Sequence, residues 1–239
     1  MTWRDEGILL AVRRHGESAA IIDVLTAEHG RHGGLVRGGA SSKMVPILQP
    51  GAQLSVEWQA RLEDHIGTYR VEPVMSRAAA LIADRKRLAA FNAVSALIIA
   101  FMPEREADPV LYGLTLNLMD ALAERADDWP PTYIAWELGL LNTLGFRLDL
   151  SRCTDSGATE DLVYVSPKTG RAVSRSSGRG WEDRLLPLPR FLRGGDLADG
   201  DLGRGLRLTG YFLENWALPP IGTKTLPEAR RRLVELLRD

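Results

Sequence analysis

Short apolar segments separated by glycine-containing breaks dominate the start of the chain. Gly7 to Arg14 and Ser18 to Thr26 are rich in Ile, Leu and Val, and the shorter segment Gly33 to Arg37 follows. Glycine adopts positive φ in tight turns without steric penalty, so the breaks at residues 15–17 and 28–30 predict hairpin turns. Because the connections are too short for a helical crossover, the pattern predicts an antiparallel meander of three strands.

Two further strands are predicted after a polar loop at residues 38–43. Gln53 to Gln59 alternates between apolar and polar side chains, which is typical of a half-buried strand. Thr68 to Glu72 is the fifth predicted strand, and we expect Pro73 to end it. Five short strands with a long connection between the third and the fourth favour a small, partly open β-barrel of the OB type. A β-sandwich fragment is the alternative.

The spacing of apolar residues becomes helical in the middle of the chain. Arg77 to Met102 predicts one helix that ends before Pro103. Asp108 followed by proline predicts an N-cap and the start of a second helix. A third helix is predicted from the two prolines at 130–131 to Gly145.

The last third of the chain is less regular. Residues 146–205 are rich in Gly, Ser, Arg and Pro, and the helical pattern returns over Leu206 to Trp216. A last amphipathic helix is predicted after Thr225, with Leu233, Leu236 and Leu237 inside. The whole pattern predicts an α+β protein: a five-stranded OB-fold barrel at residues 1–75, and a helical domain at 76–239 that contains a hairpin insertion at 150–180.

Composition narrows the functional class. The 239 residues carry a net charge of −1, so no global charge attracts the protein to nucleic acid, although the carboxy-terminal third is net basic. A single cysteine excludes a disulfide framework within the chain and fits a reducing cytosol. The start lacks the apolar core of a secretory signal. The longest apolar run, Leu88 to Met102, is interrupted by Asn92 and Ser95 and is too short to span a bilayer.

The predicted insertion has the layout of a four-cysteine zinc knuckle. Cys-x2-Ser-Gly at residues 153–157 and Ser-x2-Ser-Gly at residues 174–178 flank a predicted hairpin at residues 162–170. Serine thus stands at three of the four ligand positions. Structural zinc requires thiolate or imidazole ligands, and all four histidines lie before residue 74. We therefore expect no metal here, and packing of Leu162, Tyr164 and Val165 should hold the hairpin. The former ligand positions are Cys153, Ser156, Ser174 and Ser177.

Three features follow one another in a recognisable order: the meander at residues 5–39, the segment WELGLLNTLGF at 136–146, and the cysteine-depleted knuckle. Together they resemble the RecO family of bacterial recombination mediators. The resemblance implies an OB-fold, a helical domain and a zinc-knuckle region. It also implies binding and annealing of single- and double-stranded DNA in the cytoplasm, at the nucleoid. The implied partners are RecR, the acidic C-terminal tail of single-stranded-DNA-binding protein and, indirectly, RecA.

Basic side chains of the predicted barrel are the candidates for DNA contact, because Arg and Lys neutralise phosphates and release counterions. The loop after the third strand, often Arg/Lys-rich in relatives, has only two cations here, which flank its Gly/Ser segment. A solvated surface with intermixed acids is the alternative. The candidates are Arg13, Arg14, Arg37, Lys43, Arg61 and Arg70. On the last helix, Arg230, Arg231 and Arg232 are candidates for contact with DNA or an acidic partner, or are ordinary exposed arginines.

The remaining polar and aromatic residues are assigned to structural roles. Trp58 shares a face with apolar residues and is expected in the core, and Tyr69 is ambiguous. The spacing of His29 and His32 is metal-like but lacks a third ligand nearby, so we expect two histidines of a turn. Glu137, within an apolar helix, is expected to accept a hydrogen bond.

Motifs for catalysis are missing from the sequence. No P-loop, GxSxG, HExxH or carboxylate cluster is present, and the lone cysteine has no histidine after it to activate it. We therefore expect a non-enzymatic protein without a cofactor. The principal hypothesis is a DNA-repair mediator, and the alternative is a protein-interaction scaffold with little DNA binding of its own.

Overall fold

The computed structural model describes residues 1–62, 65–124 and 128–238. The chain divides into two compact units, Met1–Ala126 and Asp127–Asp239. The first unit contains five strands followed by three helices. The strands are β1 (Thr2–His15), β2 (Ala19–Thr26), β3 (Gly30–Val36), β4 (Gln53–Gln59) and β5 (Thr68–Met75). The helices are α1 (Ala78–Ala83), α2 (Arg85–Phe101) and α3 (Pro109–Ala123). The second contains three helices and three short strands. They are, in chain order, α4 (Trp129–Thr143), β6 (Leu162–Val165), β7 (Ala172–Ser174), β8 (Leu186–Pro187), α5 (Asp201–Phe212) and α6 (Glu228–Leu236).

The first five strands form a closed barrel in the order β1-β2-β3-β5-β4, which confirms the predicted OB-type fold. Neighbouring strands are antiparallel except for β3 and β5, which run parallel. That parallel contact consists of two residue pairs, Leu35 with Thr68 and Val36 with Tyr69. The barrel is therefore closed by a short seam, at which the segment between β4 and β5 joins the β2–β3 face.

The barrel core follows the alternation of β4. Leu54, Val56 and Trp58 are buried, which confirms the core prediction for the tryptophan. Tyr69, whose position the sequence left open, is also buried, and its hydroxyl donates to the carbonyl of His32 at 3.4 Å.

Strand bounds differ from the predictions where tertiary pairing extends a strand. β1 begins at Thr2 because residues 2–6 pair with β4, from Gln59 to Ser55. β5 continues through Pro73 to Met75, so the prediction that proline ends it is wrong. A shift of register between Gln53 and Leu54 accommodates the proline, which has no N–H to donate.

The predicted single helix at residues 77–102 is two helices. Asp84 interrupts it with extended backbone angles, and its side chain accepts from the N–H groups of Lys86 and Arg87. The aspartate thus acts as the N-cap of α2. The predicted cap at Asp108 is confirmed, since its carboxylate accepts from the N–H of Leu111 at 2.7 Å.

The second unit places helices beside a small sheet of order β7-β6-β8. α4 begins one residue before the predicted prolines, and Gly145 follows its end with a φ of 84°. α5 begins at Asp201, earlier than predicted. Within the described ranges, no helix is long and apolar enough to cross a membrane. The domain boundary at residue 75 stays a prediction: it marks the end of the barrel, whereas the first compact unit also includes α1 to α3.

Candidate nucleic-acid interface

A groove of about 820 Å³ lies on the β2–β3 face of the barrel, beside the segment that joins β4 to β5. Ile21 of β2 and Leu35 of β3 line it from the sheet, and residues 59–61 and 65–68 line it from the β4–β5 side. We call it the barrel groove. OB folds bind oligonucleotides on this face, between the loops that follow the first and fourth strands.

Two hydrogen bonds hold the backbone of Ile66 and Gly67 in place before β5. The indole N–H of Trp58 donates to the carbonyl of Ile66 at 3.2 Å, and the N–H of Leu35 donates to the carbonyl of Gly67 at 3.1 Å. Gly67 has a φ of +63°, and a Cβ there would lie 2.4 Å from the Trp58 ring. Glycine is thus required, because both the backbone angle and the close ring exclude a side chain.

The barrel groove combines positive charge with apolar surface. Arg37, at the end of β3, and Arg61, after β4, are exposed and line it, together with exposed His15 and His65. The aliphatic side chains of Ile21 and Leu35 are half-buried, and Ile66 is 50% exposed. Among the described residues that line the groove, none is a carboxylate. A polyanion with apolar parts matches this lining.

A second groove of about 420 Å³ adjoins the first and shares Arg37, Gln59 and Thr68 with it. Arg70 of β5 also lines this second groove. Arg70 lies opposite Glu57 in the β4–β5 pairing, and Arg4 donates to the same glutamate at 2.8 Å. Arg70 is therefore part of a row of mixed charge, whereas Arg37 belongs to both grooves.

The other predicted cations of the barrel are not among the described residues that line these grooves. Arg13 and Arg14 are exposed near the end of strand β1, where they pair with Ile21 and Ala20 of β2. Lys43 is exposed in the loop after β3, which consists of hydrogen-bonded turns and is joined to the β1–β2 turn by a bond from Ala40 to Ser18. The structure thus brings together Arg37 and Arg61, with Arg70 nearby, and does not bring the other three into their groove.

Sequence reasoning named only Arg37 and Arg61 among the described groove residues, and it missed His15, His65 and Ile66 among others. The only signal of these three residues in the sequence is their place at the end of the first strand and after the fourth. That signal identifies a site only once the barrel is known to close.

The aromatic residues of the barrel are packed among themselves. The ring of Trp3 stacks on His29 with centroids 4.0 Å apart, and His32 lies edge-on to Trp58 at 4.6 Å. His32 is in strand β3, so its assignment to a turn is wrong. Burial, with a smaller effect of the Arg105 charge, lowers the pKa of His32. In the described part of the chain, no group of three metal-ligand side chains forms.

The knuckle keeps two equivalent turns. The N–H of Gly157 donates to the carbonyl of Cys153 at 3.0 Å, and the N–H of Gly178 donates to the carbonyl of Ser174 at 2.9 Å. The backbone of Ser174 also donates to the Cys153 sulfur at 3.3 Å, so the two turns meet. Hydrogen bonds therefore supplement the predicted packing of Leu162 and Val165, which are both buried.

The donor set of the knuckle does not fit structural zinc, which needs several thiolates or imidazoles. It consists of one thiol and three neutral hydroxyl groups. Burial raises the pKa of the Cys153 thiol. Hydrogen bonds from Ser156, Ser174 and Ser177 together lower it by more, so the pKa is about 5. Donors of the protein thus stabilise the thiolate.

The three arginines of α6 differ in their surroundings. Arg230 is 5% exposed and bonds to Glu137, so its assignment to a DNA or partner contact is corrected: it belongs to the core of the second unit. The same contact confirms that Glu137 accepts hydrogen bonds. Arg231 is exposed and pairs with Glu228, and Arg232 is exposed.

Comparisons with known proteins agree with this architecture. Residues 1–77 match the family described as Recombination protein O N terminal, and residues 82–224 match Recombination protein O C terminal. The chain is 56% identical over 236 residues to the DNA repair protein RecO of Roseobacter denitrificans, covering 98% of both chains. It is 54% identical over 238 residues to that of a Ruegeria species, covering 99% of this chain and 98% of the relative. The chain therefore belongs to the RecO family of DNA repair proteins.

Proposed function

We propose that this protein is a non-enzymatic mediator of homologous recombination that binds single- and double-stranded DNA and promotes annealing of complementary strands. With RecR, it would load RecA on DNA that is coated by single-stranded-DNA-binding protein, in the cytoplasm at the nucleoid. The observation that carries the proposal is that Arg37 and Arg61, both exposed, line one groove on the β2–β3 face of the barrel.

The chemistry of this face supports electrostatic binding. Each arginine that meets a phosphate releases condensed counterions, so affinity is gained without regard to base sequence and is lost as salt rises. The near-neutral charge of the whole chain adds no long-range attraction. Binding should therefore depend on the local field of the barrel groove.

Fluorescence anisotropy of a labelled oligonucleotide across a salt series tests this proposal. The variant Arg37→Gln/Arg61→Gln should weaken binding and reduce the salt slope by about 0.7 for each lost contact with a single strand. Arg85→Gln is the matched control, because Arg85 is exposed on α2 outside both grooves. Undetectable binding of the unchanged protein at low salt, alone and with RecR, would refute the proposal.

A cavity of about 590 Å³ in the second unit supports the proposed partnership with an acidic protein tail. Exposed Arg184, Arg207 and Arg238 line it beside apolar Leu206 and Val234. Two carboxylates, Asp183 and Glu214, also line it, so the arginines would have to face the incoming acidic residues.

Binding of a labelled peptide with the sequence of the acidic tail tests this surface. Loss of a charge-assisted hydrogen bond predicts that Arg207→Gln weakens binding about tenfold. Arg152→Gln is the control, since that exposed arginine does not line the cavity. Equal binding by both variants would exclude this cavity as the site.

The second candidate function is a scaffold with little DNA binding. It is favoured by the sparse cations of the loop after β3, where Lys43 lies outside both barrel grooves. Capture of RecR or single-stranded-DNA-binding protein by a chain that ignores DNA would select this function.

A further inference from the structure

We propose that the second unit carries a strand-binding surface of its own, at which the indole ring of Trp181 stacks on an unpaired base and Arg179 binds an adjoining phosphate. We call it the Trp181 surface, and it consists of Arg175, Arg179 and Trp181. The inference rests on the proposed function, because the ligand is again a DNA strand. It goes beyond that function by giving one chain two cationic surfaces, one in each compact unit.

The ring of Trp181 is exposed on a backbone that is held in place. Trp181 is 55% exposed. Its N–H donates to the carbonyl of Gly178 at 2.9 Å, and its own carbonyl accepts from the N–H of Arg184 at 2.9 Å. Gly178 in turn packs on the hairpin, since a Cβ there would lie 2.7 Å from the ring of Tyr164. An indole presented in this way offers a large contact area and loses little conformational freedom when a ligand binds.

Positive charge precedes the ring in the sequence. Arg175 pairs with Asp161 at 3.2 Å, but both side chains are largely exposed, so the pair is weak and a phosphate can replace the carboxylate. Arg179, two residues before the ring, forms none of the ion pairs found among the described residues. The stretch from Ser166 to Trp181 contains no Asp or Glu, and its exposed cations are Lys168, Arg171, Arg175 and Arg179.

The open surroundings of the ring favour a base over a peptide side chain. Trp181 lines none of the grooves and cavities described above. A Cβ added to Gly180 would meet no described atom within 4 Å beyond its chain neighbours, so the backbone beside the ring faces open space. The side chain of a peptide is anchored by a pocket, whereas a base stacks on any flat face. The guanidinium of Arg184 lies 5.2 Å from the ring centroid and enlarges that flat surface.

Two carboxylates restrict how a strand approaches. Glu182 and Asp183 directly follow the ring and are exposed, so the phosphates should lie on the side of Arg179. In a duplex the base faces are stacked on one another, so stacking on the indole requires an unpaired base. The surface therefore selects single strands, and with the barrel groove it would allow one chain to hold both strands that are to be annealed.

Fluorescence anisotropy with two labelled strands of equal length tests the inference: an ordinary single strand, and one in which every nucleotide is abasic. Trp181→Ala in the full chain should weaken binding of the ordinary strand about fivefold, the lower end for one base on an aromatic ring. Its affinity for the abasic strand and its salt slope should not change, because no phosphate contact is lost. Trp181→Phe should retain most of the affinity, since a phenyl ring also stacks.

Arg179→Gln tests the phosphate contact separately. It should weaken binding of both strands and reduce the salt slope by about 0.7. Leu197→Ala is the control for loss of an exposed apolar side chain, because Leu197 is 49% exposed in the same unit but outside the Trp181 surface. Arg85→Gln is again the control for loss of a charge. All these changes are at exposed positions, and equal unfolding midpoints would show that the variants fold.

The outcomes separate the two proposals. A Trp181→Ala variant that binds the ordinary strand unchanged, or that loses both strands equally, would overturn stacking on this ring while DNA binding stands. A variant that loses the acidic-tail peptide instead of the ordinary strand would assign the surface to a protein partner and overturn it as well. Binding of neither strand by the unchanged protein at low salt, alone and with RecR, would overturn the proposed function itself.

Discussion

Arg230 and Glu137 form a two-point ion pair in the core of the second unit, although they are 93 residues apart in sequence. Nε of Arg230 donates to Oε1 at 2.7 Å, and Nη2 donates to Oε2 at 3.0 Å. The hydroxyl groups of Tyr133 and Thr209 donate to the same carboxylate. Burial alone lowers the pKa of Arg230, but the charge of Glu137 outweighs it and the pKa is raised. The pair thereby connects α4, α5 and α6.

Glu137→Gln should destabilise the second unit by about 3 to 5 kcal/mol, because it leaves a buried guanidinium without its counter-charge. Chemical denaturation with a probe in the second unit measures this loss. Glu160→Gln is the control, since Glu160 is an exposed glutamate of the same unit.

The double variant Glu137→Gln/Arg230→Met distinguishes the pair from simple packing. Removal of both charges should cost less than the single change at Glu137, since no unpaired charge remains. If the loss of stability in the double variant equals the sum of the losses in Glu137→Gln and Arg230→Met, the two side chains contribute independently.

Gly67→Ala should lower stability by about 1 to 3 kcal/mol, because a residue with a side chain is strained at this positive φ and its Cβ would collide with Trp58. Gly16→Ala is the matched control: Gly16 has nearly the same φ, +61°, but nothing within 4 Å of the added Cβ. A thermal melt of both variants isolates the contact with the ring, and equal losses would show that only the backbone angle matters.

Cys153 should titrate as a thiolate with a midpoint near pH 5, because serine and backbone donors outweigh its burial. Its pKa is depressed from 9.0, so its contribution to stability is complete above pH 9 and disappears as the pH falls through about 5. Ultraviolet absorbance of the thiolate measures the midpoint, with Cys153→Ser as the blank. A midpoint at or above the ordinary cysteine value would contradict the prediction.

His32 should make the barrel sensitive to acid. Burial lowers its pKa from 6.5, so the unfolded chain takes up the proton first, and stability falls as the pH drops below about 6.5. His32→Gln should reduce this pH dependence between about pH 7 and 5, measured by denaturant unfolding. A pH dependence in the His32 variant identical to that of the unchanged protein would contradict the prediction.

Local patterns predicted the elements whose partners are near in sequence. The alternation of β4 gave its bounds without error, and the cap at Asp108 was predicted correctly because a cap contacts residues three positions away. The break at Asp84 was missed, since the apolar spacing continues across it. Similarly, no local signal marks the extension of β1 to Thr2, which depends on pairing with β4.

The candidate site was predictable in type but not in position. Arginines of a barrel could be proposed for DNA contact from charge alone, and among six candidates the sequence favoured Arg37 and Lys43, which flank the loop after the third strand. Closure of the barrel placed Arg37 and Arg61 in the lining of one groove, which does not include Lys43. In the same way, three adjacent arginines on one helix separated into one buried residue and two exposed ones, because successive helical residues point in different directions.

By itself the sequence determined the five amino-terminal strands, the helical region and the loss of the zinc ligands, and it favoured an OB-type barrel over a β-sandwich fragment, because apolar spacing, turns and ligand chemistry act over short distances along the chain. Only the tertiary structure decided which cations share a groove, which aromatic rings are occupied in the core, and that Arg230 neutralises Glu137. Those properties depend on residues that are distant in sequence and meet only when strands close and helices pack.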